Sequence, residues 1–139
     1  MDVALCKITF SEDKVHIEYA GANRPLWIFE RNENSYDFKE IKGNKQAVGG
    51  LESAVSEKFT NQSIVLKKGD TIYCSTDGYA DQFGGDRGKK LMVKKFQSLL
   101  LDIASHPMSI QEKEIIDCHK TWKGKLEQVD DVCVIGVKF

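Results

Sequence analysis

The chain carries almost no excess charge of either sign. Twenty Lys and Arg stand against twenty-one Asp and Glu, a formal net charge of −1, and no long run is of one sign. Nucleic-acid binders present a basic face, so a polyanionic partner has no electrostatic support. No apolar run approaches the length needed to span a bilayer. The opening MDVALCKITF lacks a basic lead and a small-residue cleavage site, so it does not read as a signal peptide. The four cysteines (Cys6, Cys74, Cys118 and Cys133) make no CxxC pair and no zinc spacing. Three lie in apolar runs, and they read as reduced core thiols of a cytoplasmic protein.

Further absences remove whole chemistries. Three scattered histidines exclude a His-based site, and neither HExxH nor GxSxG occurs. No cysteine is followed by an arginine at the interval a cysteine-phosphatase loop requires. The glycine-rich Phe83–Lys90 (FGGDRGKK) fails GxxxxGK[ST], with Phe83 in place of the first glycine and Lys90 in place of Ser or Thr.

What is present is an ordinary globular composition, 41% hydrophobic and 29% charged over 139 residues. That length sets one domain, able to bury roughly two-thirds of its unfolded surface. Strand character begins at once in Met1–Phe10, with no lead-in, as in a piece of something longer. Lys14–Ala20 alternates, with Val15, Ile17 and Tyr19 on one face, and Ser11-Glu12-Asp13 joins the two as a hairpin. His16 sits on the polar face. Leu26–Glu30 and Tyr36–Ile41 read as the next strands, the four forming an antiparallel meander. Lys42–Ser53 reads as a loop, then Glu57–Leu66 and Thr71–Ser75 as strands.

After Gly85 the period changes. Leu91, Met92, Phe96, Leu99, Leu100 and Ile103 predict an amphipathic helix over Lys89–Ala104, stopped before Pro107. Ser109 and Glu112 match a capping box, which predicts a second helix from Ile110 to about Trp122 burying Ile115, Cys118 and Trp122, with Gly124 at its end. Val132–Phe139 is nearly all apolar, the pattern of a strand buried on both faces. Strands, then two helices, then a strand make a segregated α+β chain.

Two acidic points stand out. Asp77-Gly78 directly follows Thr71–Ser75, and Asp130-Asp131 directly precedes the last strand. If those strands are antiparallel neighbours, Asp77 and Asp130 converge. Converging carboxylates repel unless a cation separates them, and a hard oxygen-seeking ion such as Mg²⁺ or Mn²⁺ fits. Asp-Gly is also the commonest turn dipeptide, and Asp-Asp before a strand is equally a turn, so the residues alone leave both readings open.

AGANRPLWIF, KQAVGGL, LKKGDTIYCSTDGYADQFGG and WKGKLEQVDDVCVIGVKF, taken together and in order, resemble the type 2C metal-dependent Ser/Thr protein phosphatases in their SpoIIE/RsbU-like bacterial branch. The resemblance covers nearly all of residues 1–139 as a single domain. It implies an antiparallel β-sandwich flanked by helices, with two Mn²⁺ or Mg²⁺ ions at one end and a phosphoserine or phosphothreonine substrate. It implies that Asp77 and Asp130 are metal ligands, followed by Asp131 at the position where type 2C enzymes usually read Asn, and that Gly78 belongs to the site backbone. It further implies a phosphorylated anti-sigma-factor antagonist (a small STAS-domain protein) as substrate and an upstream sensor or repeat module. The family's early GDF(Y/W)-type and DGHG-type motifs are not in this sequence. The expectation is a truncated domain lacking the N-terminal part of the fold, weak in metal affinity and activity, and self-associating through an exposed sheet. The alternative is a phosphatase-like binding module without turnover.

Overall fold

The computed structural model describes residues 1–49 and 58–139. In chain order its elements are β1 (Val3–Phe10), β2 (Lys14–Ala22), β3 (Leu26–Arg31), β4 (Tyr36–Ile41), β5 (Gln62–Lys67), β6 (Thr71–Ser75), α1 (Gly78–Asp81), β7 (Phe83–Gly84), β8 (Lys89–Lys90), α2 (Val93–Ile103), α3 (Met108–Lys123) and β9 (Val134–Lys138). One sheet has the order β1-β2-β5 and a second the order β4-β3-β6-β9, every pairing antiparallel.

The second sheet is the middle layer. Val15, Ile17, Tyr19 and Leu66 of the first sheet meet Leu26, Ile28 and Ile72 of the second. The intervening residues Trp27, Phe29 and Tyr73 form the other core with Phe96, Leu100, Ile103 and Ile115 of the helices. Strands β3 and β6 are thus covered on both sides. This explains why Leu26–Phe29 has no polar alternate while β2, with one solvated face, alternates cleanly.

The meander expectation fails between β2 and β3, which lie in different sheets. A strand that is apolar on both faces needs cover on both, and one continuous meander sheet leaves a face bare. The chain changes sheets at Asn23, whose φ of +57° turns it out of the strand and whose N–H bonds Asn44 O at 2.8 Å. Asparagine tolerates that left-handed conformation better than most residues.

Other boundaries move for local reasons. Strand β5 begins at Gln62, not Glu57; Phe59 lies ahead of it, exposed, and the expected strand's first residue lies outside the described ones, as does the Gly50–Ser53 end of the expected loop. Helix α2 begins at Val93, not Lys89. Lys89 and Lys90 pair with Gly84 and Phe83 instead, and the Leu91 and Met92 amides bond Gln82 O and Ala80 O at 3.0 and 2.8 Å. Helix α3 starts at Met108, after Pro107, and no side chain among the described residues caps it, so the expected Ser109–Glu112 box does not form.

A buried Gln111 does related work at the same corner. Its Nε2 donates to Ala104 O and His106 O, at 3.2 and 2.8 Å, satisfying carbonyls left over at the end of α2. Its Oε1 accepts the Tyr73 hydroxyl, tying the helical corner to the middle sheet. Burial pushes the Tyr73 phenol up to about 12.

Strand β9 is an edge strand, not one buried on both faces: its outer side has no partner among the described residues, and Ile135 is 58% exposed. No helix among the described residues is long and apolar enough to cross a membrane.

Candidate metal centre

The site begins where β6 runs out. Ser75 pairs with Val134, so the residues after β6 lie beside those before β9. Thr76 fixes that adjacency: its N–H bonds Cys133 O at 3.0 Å, its hydroxyl donates to Asp131 O at 2.8 Å, and it accepts from Cys133 N–H at 2.9 Å. Gly78 packs directly on the same segment. A Cβ there would run into the Asp131 carbonyl oxygen. Glycine is required because two backbones touch at this point.

Beyond the turn, α1 is anchored by Tyr79. Its ring stacks on Phe96 with centroids 3.9 Å apart, and its hydroxyl donates to Ile115 O at 2.8 Å. Asp77 therefore stands at the start of a short helix fixed from below, with its side chain half exposed.

The carboxylates are arranged differently from the backbones. Asp77 Oδ2 lies 2.9 Å from Arg24 Nη2, and the same nitrogen lies 2.8 Å from Asp2 Oδ2. Asn23 Nδ2 donates to the other Asp2 oxygen at 2.9 Å. The Arg24 guanidinium holds the Asp77 carboxyl below the usual range, and Asn23 and then Arg24 do the same for Asp2. Asp130 instead accepts its neighbour's amide: Asp131 N–H bonds Asp130 Oδ1 at 2.7 Å. Asp131 contributes its carbonyl to Thr76, and both residues are exposed.

The structure thus brings the Asp77-Gly78 and Asp130-Asp131 segments together through their main chains, while the Asp77 carboxylate turns towards Arg24 and Asp2. Sequence reasoning assigned no role to Asp2, Asn23 or Arg24. The available signal was an arginine inside the otherwise uncharged AGANRPL stretch. Arg24 is held from behind, since the Tyr19 hydroxyl donates to its carbonyl across Gly21, where a Cβ would collide with both.

Oxygen donors of this kind suit a hard divalent cation, but a cage needs about six of them. Among the described residues, no group of three or more His, Cys, Asp or Glu is placed to hold a metal ion. The carboxylates gathered here do not make up a cage.

The sequence profile of the family described as Stage II sporulation protein E (SpoIIE) matches residues 1–139. The chain belongs to the SpoIIE family. Among solved structures it is similar to the SiaA-PP2C domain of Pseudomonas aeruginosa, at 28% identity and a TM-score of 0.74, over 89% of this chain and 46% of that one. It is also similar to the phosphatase domain of the cell-fate determinant SpoIIE from Bacillus subtilis (Mn presoaked), at 16% identity and a TM-score of 0.54, over 99% of this chain and 56% of that one. No curated protein matches. This SpoIIE-family chain therefore has the PP2C phosphatase-type fold, and it spans about half the length of the structures it matches.

Proposed function

We propose that this chain supplies one side of the active site of a metal-dependent phosphoserine/phosphothreonine phosphatase. On this reading Asp77, Asp130 and Asp131 belong to a Mn²⁺ or Mg²⁺ ligand set that they do not complete by themselves, and Gly78 is the backbone that lets their two segments close. The observation that carries this reading is the Thr76 clamp, which joins the Asp77 turn to the Asp130-Asp131 turn at one end of the sandwich. Turns that served only to reverse the chain would need no such lock between them. Bound divalent ions supply Lewis-acid chemistry at a phosphoryl group. The family membership supports phosphoprotein hydrolysis in bacterial signalling, with a STAS-domain anti-sigma-factor antagonist as substrate, an upstream sensor module and a cytoplasmic setting.

One observation favours a second reading, a phosphatase-like module that binds a phosphoprotein without turning it over. The Asp77 carboxylate is already ion-paired with Arg24.

Mn²⁺ titration followed by amide NMR tests the first reading. Paramagnetic broadening is expected first at Thr76–Gly78 and Asp130–Cys133, and is expected to vanish in the Asp77→Asn, Asp130→Asn double variant. Broadening centred elsewhere, or none at millimolar Mn²⁺, would overturn the assignment of these aspartates.

A further inference from the structure

The chain is almost neutral, yet its cations are not spread evenly. From Arg87 to Lys95 five of nine residues are basic (Arg87, Lys89, Lys90, Lys94 and Lys95) and none is acidic. All five are exposed. Among the described residues only Lys90 of the five has a carboxylate partner, Asp81 at 2.9 Å. Folding brings the end of α3 to the same place, with Trp122 as the pivot. Its carbonyl accepts the Gly85 N–H at 2.8 Å, its ring lies against Gly85, and Lys95 Nζ stands 3.8 Å from the centre of that ring. Lys123 and Lys125 follow directly. The β7–β8 hairpin, the first turn of α2 and the end of α3 thus share one corner, where Asp81, Asp86 and Glu127 offset only part of the positive charge.

Two features of this corner work against the fold. Lys94 and Lys95 occupy the first turn of α2, the end at which the helix dipole disfavours cations. Met92, just before it, has a φ of +76°, a conformation costly for any residue with a Cβ, and its side chain is 60% exposed, so little packing is gained in return. Val93 follows it and Phe83 pairs with Lys90, both exposed. Residues that break a local rule without a gain to the fold mark function. Apolar side chains ringed by charge are the make-up of a protein interface. A nucleic-acid duplex would engage the cations and leave Met92 and Val93 bare. The corner is also tied to both acidic turns. Asp81, the partner of Lys90, donates its N–H to Asp77 O at 2.9 Å. The Gln82 carbonyl accepts the Trp122 indole N–H at 3.0 Å, and the Gln82 side chain donates at 2.9 Å to Glu127 O, shortly ahead of Asp130.

We propose that this corner docks an acidic protein segment with an apolar side chain at its centre, and that the segment belongs to the phosphoprotein substrate. That the docked protein is a substrate rests on the phosphatase reading above; the docking chemistry does not. Carboxylates of the segment pair with Arg87, Lys89 and Lys94, and its apolar side chain meets Met92 and Val93. The phosphorylated residue is left for the turns at Asp77 and Asp130. Exposed ion pairs are individually weak and screened by salt, so the docking is modest in affinity and salt-sensitive.

The test is fluorescence anisotropy on the full chain in EDTA, with a labelled, unphosphorylated peptide rich in Glu and Asp around one central Leu. Its Gln/Asn counterpart, a DNA duplex and phosphatidylserine vesicles are the comparison ligands. The acidic peptide is expected to bind tightest and to weaken as salt is raised. The triple variant Arg87→Glu, Lys89→Glu, Lys94→Glu is expected to weaken it about tenfold or more. Lys14→Glu, Lys68→Glu, Lys113→Glu changes the net charge equally at exposed positions elsewhere, and is expected to weaken it about twofold at most. Met92→Gly is expected to weaken binding about threefold without lowering the melting temperature, since glycine adopts the same backbone freely. Equal binding of the Gln/Asn peptide, equal weakening by the two triple variants, tighter binding of the duplex or the vesicles, or no binding of the acidic peptide would each overturn the proposal. Neither metal nor phosphate takes part, so failure of the Mn²⁺ titration and failure here are separate results.

Discussion

Arg24 Nη2 stands between two carboxylates, 2.9 Å from Asp77 Oδ2 and 2.8 Å from Asp2 Oδ2. Three segments far apart in sequence meet at this one nitrogen: the start of β1, the sheet-changing turn after β2, and the end of β6. The single guanidinium lies between two carboxylates and offsets one of their two negative charges.

Arg24→Gln is expected to raise the Asp77 carboxyl pKa towards the ordinary value, read from its side-chain ¹³C shift against pH. The sign follows from the depressed value in the folded chain. The pair stabilises above the unfolded carboxylate pKa of about 4 and its contribution fades as pH falls through the lowered one. The side chain of Asp77 is half exposed, so the loss at neutral pH is expected to stay below about 1 kcal/mol. An Asp77 titration unchanged by the substitution would refute the pairing.

The clamp between Thr76 and the Asp131–Cys133 segment predicts more than the ion pair does. Gly78→Ala forces a methyl into the Asp131 carbonyl, and backbone cannot step aside as a side-chain tip can. A loss of about 1–3 kcal/mol in urea unfolding is expected. Thr76→Val keeps the shape and removes the hydroxyl bonds to Asp131 O and Cys133 N–H, for a loss of about 1–2 kcal/mol. Both variants are expected to shift the Asp130 and Asp131 amide resonances. Wild-type stability and shifts in Gly78→Ala would mean that the two turns are not locked.

Much of this was legible in the chain because the signals are local. The alternation of Val15, Ile17 and Tyr19 gives β2 its buried face, and the unbroken Leu26–Phe29 run gives β3 two of them. The end of β6 and the approach to β9 read as neighbours if the two strands are antiparallel, as they are. What was not legible depends on distant partners. Gln111 reads as a polar helix residue until the carbonyls of Ala104 and His106 are in place around it. Lys89 and Lys90 fit a helical pattern, but Phe83 and Gly84 recruit them into a hairpin. Asp2 has no neighbour in sequence that marks it, and becomes part of the site through Asn23 and Arg24. Strand β9 is apolar enough for a central strand, yet its sequence cannot say that its outer side has no partner among the described residues.

Gln111→Leu tests the corner between α2 and α3. The substitution keeps the bulk, leaves the buried Tyr73 hydroxyl without its acceptor and removes the amide donor from the Ala104 and His106 carbonyls, which keep only Lys138 Nζ. Unmet polar groups of this kind cost about 1–3 kcal/mol each, partly relieved where water enters, so a total loss of about 3 kcal/mol is expected in chemical denaturation. Adding Tyr73→Phe is expected to recover part of that loss, because the double variant no longer strands the hydroxyl. If the two substitutions instead act additively, the hydroxyl and the amide are not coupled.

Ile135 projects from the outer strand of the middle sheet and is 58% exposed, beside a groove of about 700 Å³ lined by Tyr79, Ile115, Ile116, Val132 and Val134. A strand edge with free amides next to exposed aliphatic side chains is a template for another chain. Two copies joined edge to edge through β9 would satisfy those amides and cover Ile135 in both. Self-association in the micromolar range is therefore expected in sedimentation equilibrium. Ile135→Lys places a charge at the centre of that contact while leaving the side chain in solvent in the single chain, so it is expected to shift the chain to monomer without lowering its melting temperature. A chain that sediments as a monomer at hundreds of micromolar, or an association that Ile135→Lys leaves intact, would rule out this edge as the contact.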